Sequence, residues 1–84
     1  MDNFYKKDFE EFDRIFQWCA TSNELNLQPG HAYFLAESED QMEERLEFEL
    51  LPLIKEYLQE GLLLSAKEEF NTYFETRINT TLFD

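Results

Sequence analysis

The chain has 84 residues, of which 17% are aromatic, and its formal net charge is −12. A chain of this length forms one domain at most, and its aromatic content predicts a packed core. The negative charge argues against a nucleic-acid interface and against binding to an anionic membrane, because both need clustered Lys and Arg; it favours a basic partner.

The cysteine content and the hydropathy of the chain indicate the cellular environment to be expected for it. Cys19 is the only cysteine, so an intramolecular disulfide is excluded and a reduced, cytoplasmic environment is expected. No apolar run approaches the about 20 residues that a membrane-spanning helix needs. The first residues lack the basic and apolar regions of a signal peptide.

The first predicted element is an amphipathic helix over residues 3–22, with Asp2 or Asn3 as its N-cap. Apolar residues recur there at alternating spacings of four and three, which is typical of one buried helical stripe. The acidic residues of the segment mostly fall on the opposite face. The stripe consists of Tyr5, Phe9, Phe12, Phe16 and Cys19.

A connector over residues 24–37 follows, and Pro29-Gly30 marks a turn within it. Gly30 can adopt a positive φ, which would allow the chain to reverse sharply before His31. The bulky residues 32–35 predict either a short extended segment or a single buried turn.

The longest periodic segment, residues 39–60, predicts a central helix. Ser38 and Gln41 have the spacing of a capping box, and Gly61 lies where a left-handed C-cap belongs. Pro52 removes one helical hydrogen bond and is expected to kink a single helix; two helices meeting at Leu51 are the alternative. The predicted buried stripe is Met42, Leu46, Leu50, Leu53, Ile54, Tyr57 and Leu58.

Residues 62–64 form a short apolar connector that is expected to be buried. Ser65 and Glu68 repeat the capping-box spacing and predict a third helix that ends at residues 79–81, after which Phe83 either docks or frays. The fold expected is a single all-α domain over residues 1–84, a small three-helix bundle with a kinked central helix. The third stripe is Ala66, Phe70, Tyr73, Phe74 and Ile78.

Motifs for catalysis are missing from the sequence. It contains no P-loop, no glycine-rich dinucleotide turn and no Cys/His metal spacing, so no catalytic residue and no metal ligand is predicted. The carboxylates are interpreted as a solvated surface. Without other information, His31 is interpreted as a structural residue whose ring nitrogen pairs with the backbone.

Two segments nevertheless resemble a known family. Gly30-His31-Ala32-Tyr33-Phe34, and the helix containing residues 48–57 with its internal proline, are similar to the C-terminal region of McrB-type AAA+ ATPases. Members of that family carry Gly-His-Ser-Tyr-Phe, so Ala32 replaces the serine. Their following helix has an aromatic/Glu/Ile/Ile/Pro/Leu/Leu/Glu/Glu/Tyr pattern. Residues 48–57 align with it position by position, with Lys55 in place of the first of the two final glutamates. The resemblance covers roughly residues 12–60.

The resemblance implies a small helical lid belonging to a larger ATPase, which would hydrolyse ATP or GTP with magnesium. Its partners would be a large α/β nucleotide-binding domain and neighbouring subunits of a ring. Gly30 and His31 would lie nearest the nucleotide, and residues 33–35 (Tyr33, Phe34 and Leu35) would dock on the large domain. No arginine lies between Arg14 and Arg45 to sense phosphate, and the chain by itself would not be catalytic.

Two other interpretations stay open. The chain is either a free-standing acidic α-helical interaction module or a small globular domain without a ligand. An exposed apolar patch would distinguish the lid and the interaction module from the domain without a ligand. The lid predicts that patch around residues 29–35, whereas the module predicts a groove along a helix pair.

Overall fold

The computed structural model of the chain describes residues 2–82, and within them the fold is an all-α three-helix bundle, as predicted. The bundle consists of a first long helix, a central helix and a last helix. The central helix has one continuous helical backbone with a five-residue π turn in its middle. The bounds are β1 Asn3–Phe4, α1 Lys6–Cys19, β2 Leu35–Ala36, α2 Glu39–Arg45, π turn Leu46–Leu50, α3 Leu51–Gln59 and α4 Lys67–Ile78.

Aromatic side chains from three parts of the chain form the centre of the core. Phe12 of α1 lies 5.2 Å from Phe34 and 5.3 Å from Phe70 between ring centroids, at tilted or edge-on angles that aromatic pairs prefer. The predicted stripes account for most of the core, although Leu51 was not among them. The fully buried large side chains are Phe12, Phe16, Phe34, Phe70, Phe74, Ile15, Met42, Leu46, Leu50, Ile54, Leu63 and Leu82.

The start of α1 differs from the prediction. Asn3 and Phe4 are extended and pair antiparallel with Ala36 and Leu35, so neither Asp2 nor Asn3 caps the helix. The pairing holds the entry of α1 because Tyr5 N–H donates to the Phe34 carbonyl at 2.8 Å. The predicted helix over residues 3–22 is therefore too long at both ends.

The connector contains both structures that the sequence left open. A 3₁₀ turn spans His31–Phe34, and extended β2 follows immediately. A further 3₁₀ turn spans Leu25–Leu27. The two-stranded pairing fixes the end of this connector against the beginning of α1.

The central helix accommodates Pro52 through a π turn directly before it. Leu51 N–H donates to the carbonyl of Leu46, five residues earlier, and Pro52 supplies no donor. π turns and prolines are recognised causes of a break in regular helix geometry. A single helix with an irregular centre is therefore confirmed, and two helices meeting at Leu51 are not observed.

Two predicted caps are confirmed and one is wrong. Ser38 accepts from Gln41 N–H at 3.2 Å, and Gly61 has φ +83°. Gly61 N–H donates to Leu58 and the next N–H to Tyr57, which together form a Schellman motif. Ser65, in contrast, lies inside a 3₁₀ turn (Leu64–Ala66) and makes no cap, because α4 begins at Lys67 after this turn.

The end of the described chain packs back on α4. Leu82 is 2% exposed, and its N–H donates to Asn71 Oδ1 at 2.9 Å. The predicted docking of Phe83 lies outside the described residues. Across residues 2–82, no helix combines the length and apolar character that crossing a membrane requires.

Candidate functional site

The segment that resembles the ATPase family is a surface turn fixed by one buried side chain. Phe34 is fully buried between Phe9 and Phe12, with ring centroids 5.6 and 5.2 Å away. His31 is exposed, and Tyr33 is 38% exposed. The turn therefore presents His31 and Tyr33 to the outside while Phe34 holds it to the core.

This geometry corrects part of the predicted docking set. Phe34 belongs to the core and has no surface to offer a neighbouring domain, since its exposure is 0%. Leu35 is half-buried and pairs with Phe4 in the short sheet. Of the three residues predicted to dock, Tyr33 has the largest exposed surface. Tyr33 and Phe34 differ in burial because successive side chains of a 3₁₀ turn point about 120° apart.

His31 does not have the structural role first expected of it. Its ring stacks on Phe9 with 4.3 Å between centroids and 22° between planes, and it lies 5.4 Å from the ring of Phe4. Phe4 is itself 40% exposed. Within residues 2–82, the ring contacts of His31 are aromatic, and no hydrogen bond from its ring to the backbone is formed. The result is a small aromatic surface of Phe4, Phe9 and His31.

Gly30 does not use the positive φ that is open to glycine. Its φ is −77° and its ψ is 179°, which is extended backbone that most residues adopt. A Cβ at this position would meet no atom within 4 Å. The chain therefore changes direction through the 3₁₀ turn that begins at His31, and neither the φ angle nor the local space requires a glycine.

A cation that the linear sequence places far away lies beside the turn. Arg45 Nη1 donates to the carbonyl of Ala32 at 2.9 Å. Arg45 Nε is 3.3 Å from Glu49 Oε2, an ion-pair distance, but its N–H is not aligned for a hydrogen bond. A shallow cavity of about 240 Å³ lies between Ala32, Tyr33, Arg45 and Glu49. The turn predicted to lack an arginine thus has one in contact with its backbone.

A second polar cluster joins the ends of the bundle and was not predicted. Asp8, placed by the sequence pattern on a solvent face, is 5% exposed. It accepts from the Tyr73 hydroxyl at 2.5 Å and from Arg77 Nε at 2.8 Å. Arg77 also donates to Glu39 at the start of the central helix. These contacts connect α1, α2 and α4 through one guanidinium.

The electrostatics of this cluster favour its paired state. Burial raises the pKa of the Tyr73 hydroxyl, and its hydrogen bond to the Asp8 carboxylate raises it further. Burial disfavours the charge of Arg77, but hydrogen bonds to Asp8 and Glu39 outweigh that effect and raise its pKa. Because these polar groups satisfy one another, the cluster has the character of a structural tie.

An open groove of about 590 Å³ lies above this tie, between α1 and α4. Its walls carry charges of both signs, several of which are paired with each other, such as Arg14 with Glu11 at 2.9 Å. The groove therefore has charged side chains along its walls, and it lies along a helix pair, where the interaction module predicts a groove. Its lining residues are Lys7, Asp8, Glu11, Arg14, Glu39, Glu69, Thr72, Tyr73, Thr76 and Arg77.

Comparison with known proteins assigns neither a family nor a function to this chain. No family model, no curated protein and no solved structure matches the chain. In the part of the chain that the structure describes, no group of three or more His, Cys, Asp or Glu side chains is arranged to hold a metal ion. Cys19 is a free, half-buried thiol packed against the core.

Proposed function

We propose that this chain acts as a helical lid of an AAA+ nucleotide hydrolase. It docks on an α/β nucleotide-binding domain through the exposed side of the turn at residues 30–33. The observation that carries the proposal is the difference in burial within that segment. Phe34 is buried in the core and fixes the turn, whereas His31 and Tyr33 are exposed. These are residues of the segment that resembles the McrB-type family.

The turn is held from two sides, which suits a docking element. The Phe34 carbonyl accepts from Tyr5 N–H at 2.8 Å, and the Ala32 carbonyl accepts from Arg45 at 2.9 Å. Side chains on a backbone fixed in this way lose little conformational entropy when they bind a partner. A change at the docked face would reach the central helix through Arg45, because the same guanidinium lies on that helix.

The role proposed for the chain is positional. The nucleotide, ATP or GTP with magnesium, would be held by the α/β domain, and the lid would cover that site with Gly30 and His31 nearest to it. Closure of the lid against the neighbouring domain would exclude water and complete the subunit boundary, as lids do in other enzymes. The chain supplies no group for the hydrolysis itself under this proposal.

The genomic context and the full-length product test the proposal. We expect the gene to encode a Walker A motif upstream of these residues in the same reading frame. In that product, the double substitution His31→Ala with Tyr33→Ala should lower nucleotide hydrolysis and ring assembly, measured by phosphate release and analytical ultracentrifugation. Leu64→Ala is the matched control, because Leu64 is 60% exposed and belongs to a different turn.

The opposite results would count against the lid. A locus without a Walker A motif would leave the free-standing acidic interaction module as the better reading. Equal effects of the double substitution and of Leu64→Ala would show that the turn has no special role in docking. For the isolated chain, calorimetry should detect no nucleotide binding in the micromolar range, and such binding would contradict a purely positional role.

A further inference from the structure

The outward side of the central helix carries a large aromatic side chain with no cover. Phe48 is 69% exposed, although it lies in the same π turn as the buried Leu46 and Leu50. A single exposed apolar residue needs no explanation by itself. Here it lies at i+4 from Glu44 and at i−4 from Pro52, which are also exposed. We call Asp40, Glu44, Glu47, Phe48 and Pro52 the Phe48 face.

The backbone of the Phe48 face has an acceptor without a helical donor. In a regular helix the carbonyl of Glu47 would accept from Leu51 N–H, but that N–H donates to the carbonyl of Leu46. The next possible donor is position 52, where proline has no N–H. Glu47 is exposed. The π turn and the proline together therefore leave the Glu47 carbonyl without its usual helical donor, one residue before Phe48.

The charged side chains of the Phe48 face are anionic and unpaired. Among residues 2–82, two arginines near the central helix are paired with other carboxylates: Arg77 with Glu39 and Asp8, and Arg45 with Glu49. Lys55, on the same helix, lies in a different cavity, lined by Leu58 and Leu64 among others. Asp40, Glu44 and Glu47 make no ion pair there. The face thus combines carboxylates, a free carbonyl and the face of an aromatic ring.

We infer that the Phe48 face docks an arginine-bearing, basic segment of a partner protein. A guanidinium is attracted to the face of an aromatic ring, and its fork of N–H donors matches carboxylate and carbonyl oxygens. Anionic ligands are repelled by this surface. A second copy of the chain is a poor occupant as well, because each copy carries a net charge of −12.

Fluorescence anisotropy with a defined probe tests the inference on this chain alone. The probe is a short fluorescein-labelled peptide of alternating arginine and alanine, titrated at low and at physiological salt. Phe48→Ala should weaken binding about two- to fivefold. Phe48→Leu should weaken it as well, because leucine keeps the apolar surface and loses the ring.

A charge-matched control separates docking from general attraction between an acidic protein and a basic peptide. Glu44→Gln with Glu47→Gln removes two charges from the face, whereas Glu68→Gln with Glu75→Gln removes two exposed charges from α4. The first pair should weaken binding more and reduce its salt dependence more. In NMR titrations of the unsubstituted chain, the peptide should shift the amide signals of residues 44–53.

Two results would overturn the inference. One is unchanged affinity of Phe48→Ala, provided that circular dichroism shows the variant to be folded. The other is an equal loss of affinity in the two charge-matched variants, which would mean non-specific attraction. Neither result bears on the lid, because the probe does not involve the turn at residues 30–33 or a nucleotide.

Discussion

Arg77 donates two parallel hydrogen bonds to the carboxylate of Asp8, which lies 69 positions earlier in the sequence. Its Nε donates to Oδ1 at 2.8 Å and its Nη2 to Oδ2 at 3.2 Å. The Asp8 side chain is 7% exposed and that of Arg77 21%, so water screens the pair much less than a surface ion pair. This pair of hydrogen bonds joins the first helix of the bundle to the last.

Removing the Asp8 carboxylate should destabilise the fold strongly. Asp8→Ala leaves the Tyr73 hydroxyl and the guanidinium of Arg77 without their shared acceptor in a buried setting. The expected loss is about 3 kcal/mol of unfolding free energy, measured by urea denaturation. Glu10→Gln, an exposed change on the same helix, should stay within about 0.5 kcal/mol. Similar stability of the two variants would mean that the ion pair between Arg77 and Asp8 does not hold the bundle together.

Glu24 should make the stability of the protein depend on pH in the acid range. Its Oε2 accepts from Leu63 N–H at 3.0 Å and its Oε1 from Thr21 N–H at 3.1 Å, and these bonds lower the pKa of the Glu24 carboxyl. A carboxyl with a lowered folded-state pKa contributes stability above its unfolded pKa of about 4.3, and that contribution is lost as the pH falls through the folded value.

Thermal unfolding of Glu24→Gln checks this dependence. The Tm of the variant should be lower than that of the original chain at neutral pH, because the charged acceptor is gone. The difference should shrink as the pH falls through the lowered folded-state pKa of Glu24, below which both chains lack the charge. Glu60→Gln serves as the control, since Glu60 is exposed. A gap in Tm that stays constant from neutral to acid pH would contradict a role for the carboxylate charge.

The sequence predicted what depends on local pattern. Apolar residues at helical spacing identified Phe12, Phe16 and Phe70 as core, because a helix must bury one face whatever it packs against. Ser38 and Gly61 were identified by cap chemistry, which depends on a few consecutive residues. These features required no knowledge of which helix lies beside which.

The remaining features depend on contacts between distant residues. Asp8 looked like a solvent-facing carboxylate because Arg77 and Tyr73 are far along the chain. The contact of Arg45 with the Ala32 carbonyl was missed for the same reason. The one sequence signal for this contact is that Arg45 lies among acidic residues, directly before Leu46 of the predicted buried stripe. The π turn was hidden as well, since a proline in a helix predicts an irregularity without saying which one.

The two glycines should respond oppositely to alanine. Gly61 has φ +83°, where a Cβ is strained, so Gly61→Ala should destabilise the protein by about 1–2 kcal/mol. Gly30 has φ −77° and open space around it, so Gly30→Ala should be neutral or stabilising by about 0.4–1 kcal/mol. Urea denaturation of both variants provides the comparison. A loss of stability in Gly30→Ala would indicate that residue 30 needs a flexible backbone.

Pro52→Ala tests whether the proline or the core imposes the π turn. The new N–H could donate to the carbonyls of residues 47 and 48, and an interior proline ordinarily costs about 3 kcal/mol. Returning to regular α-helix would, however, rotate the segment after the turn against the one before it. Leu50 and Ile54 are fully buried on opposite sides of Pro52 along the helix, so that rotation would disturb their packing. We therefore expect the π turn to remain and stability to rise by less than about 1 kcal/mol.

Urea denaturation measures the gain, and amide hydrogen exchange at position 52 shows whether the new N–H is bonded. Glu56→Ala, an exposed change in the same helix, corrects for helix propensity. A gain near 3 kcal/mol, with strong protection of the new amide, would mean that the proline alone causes the irregular turn.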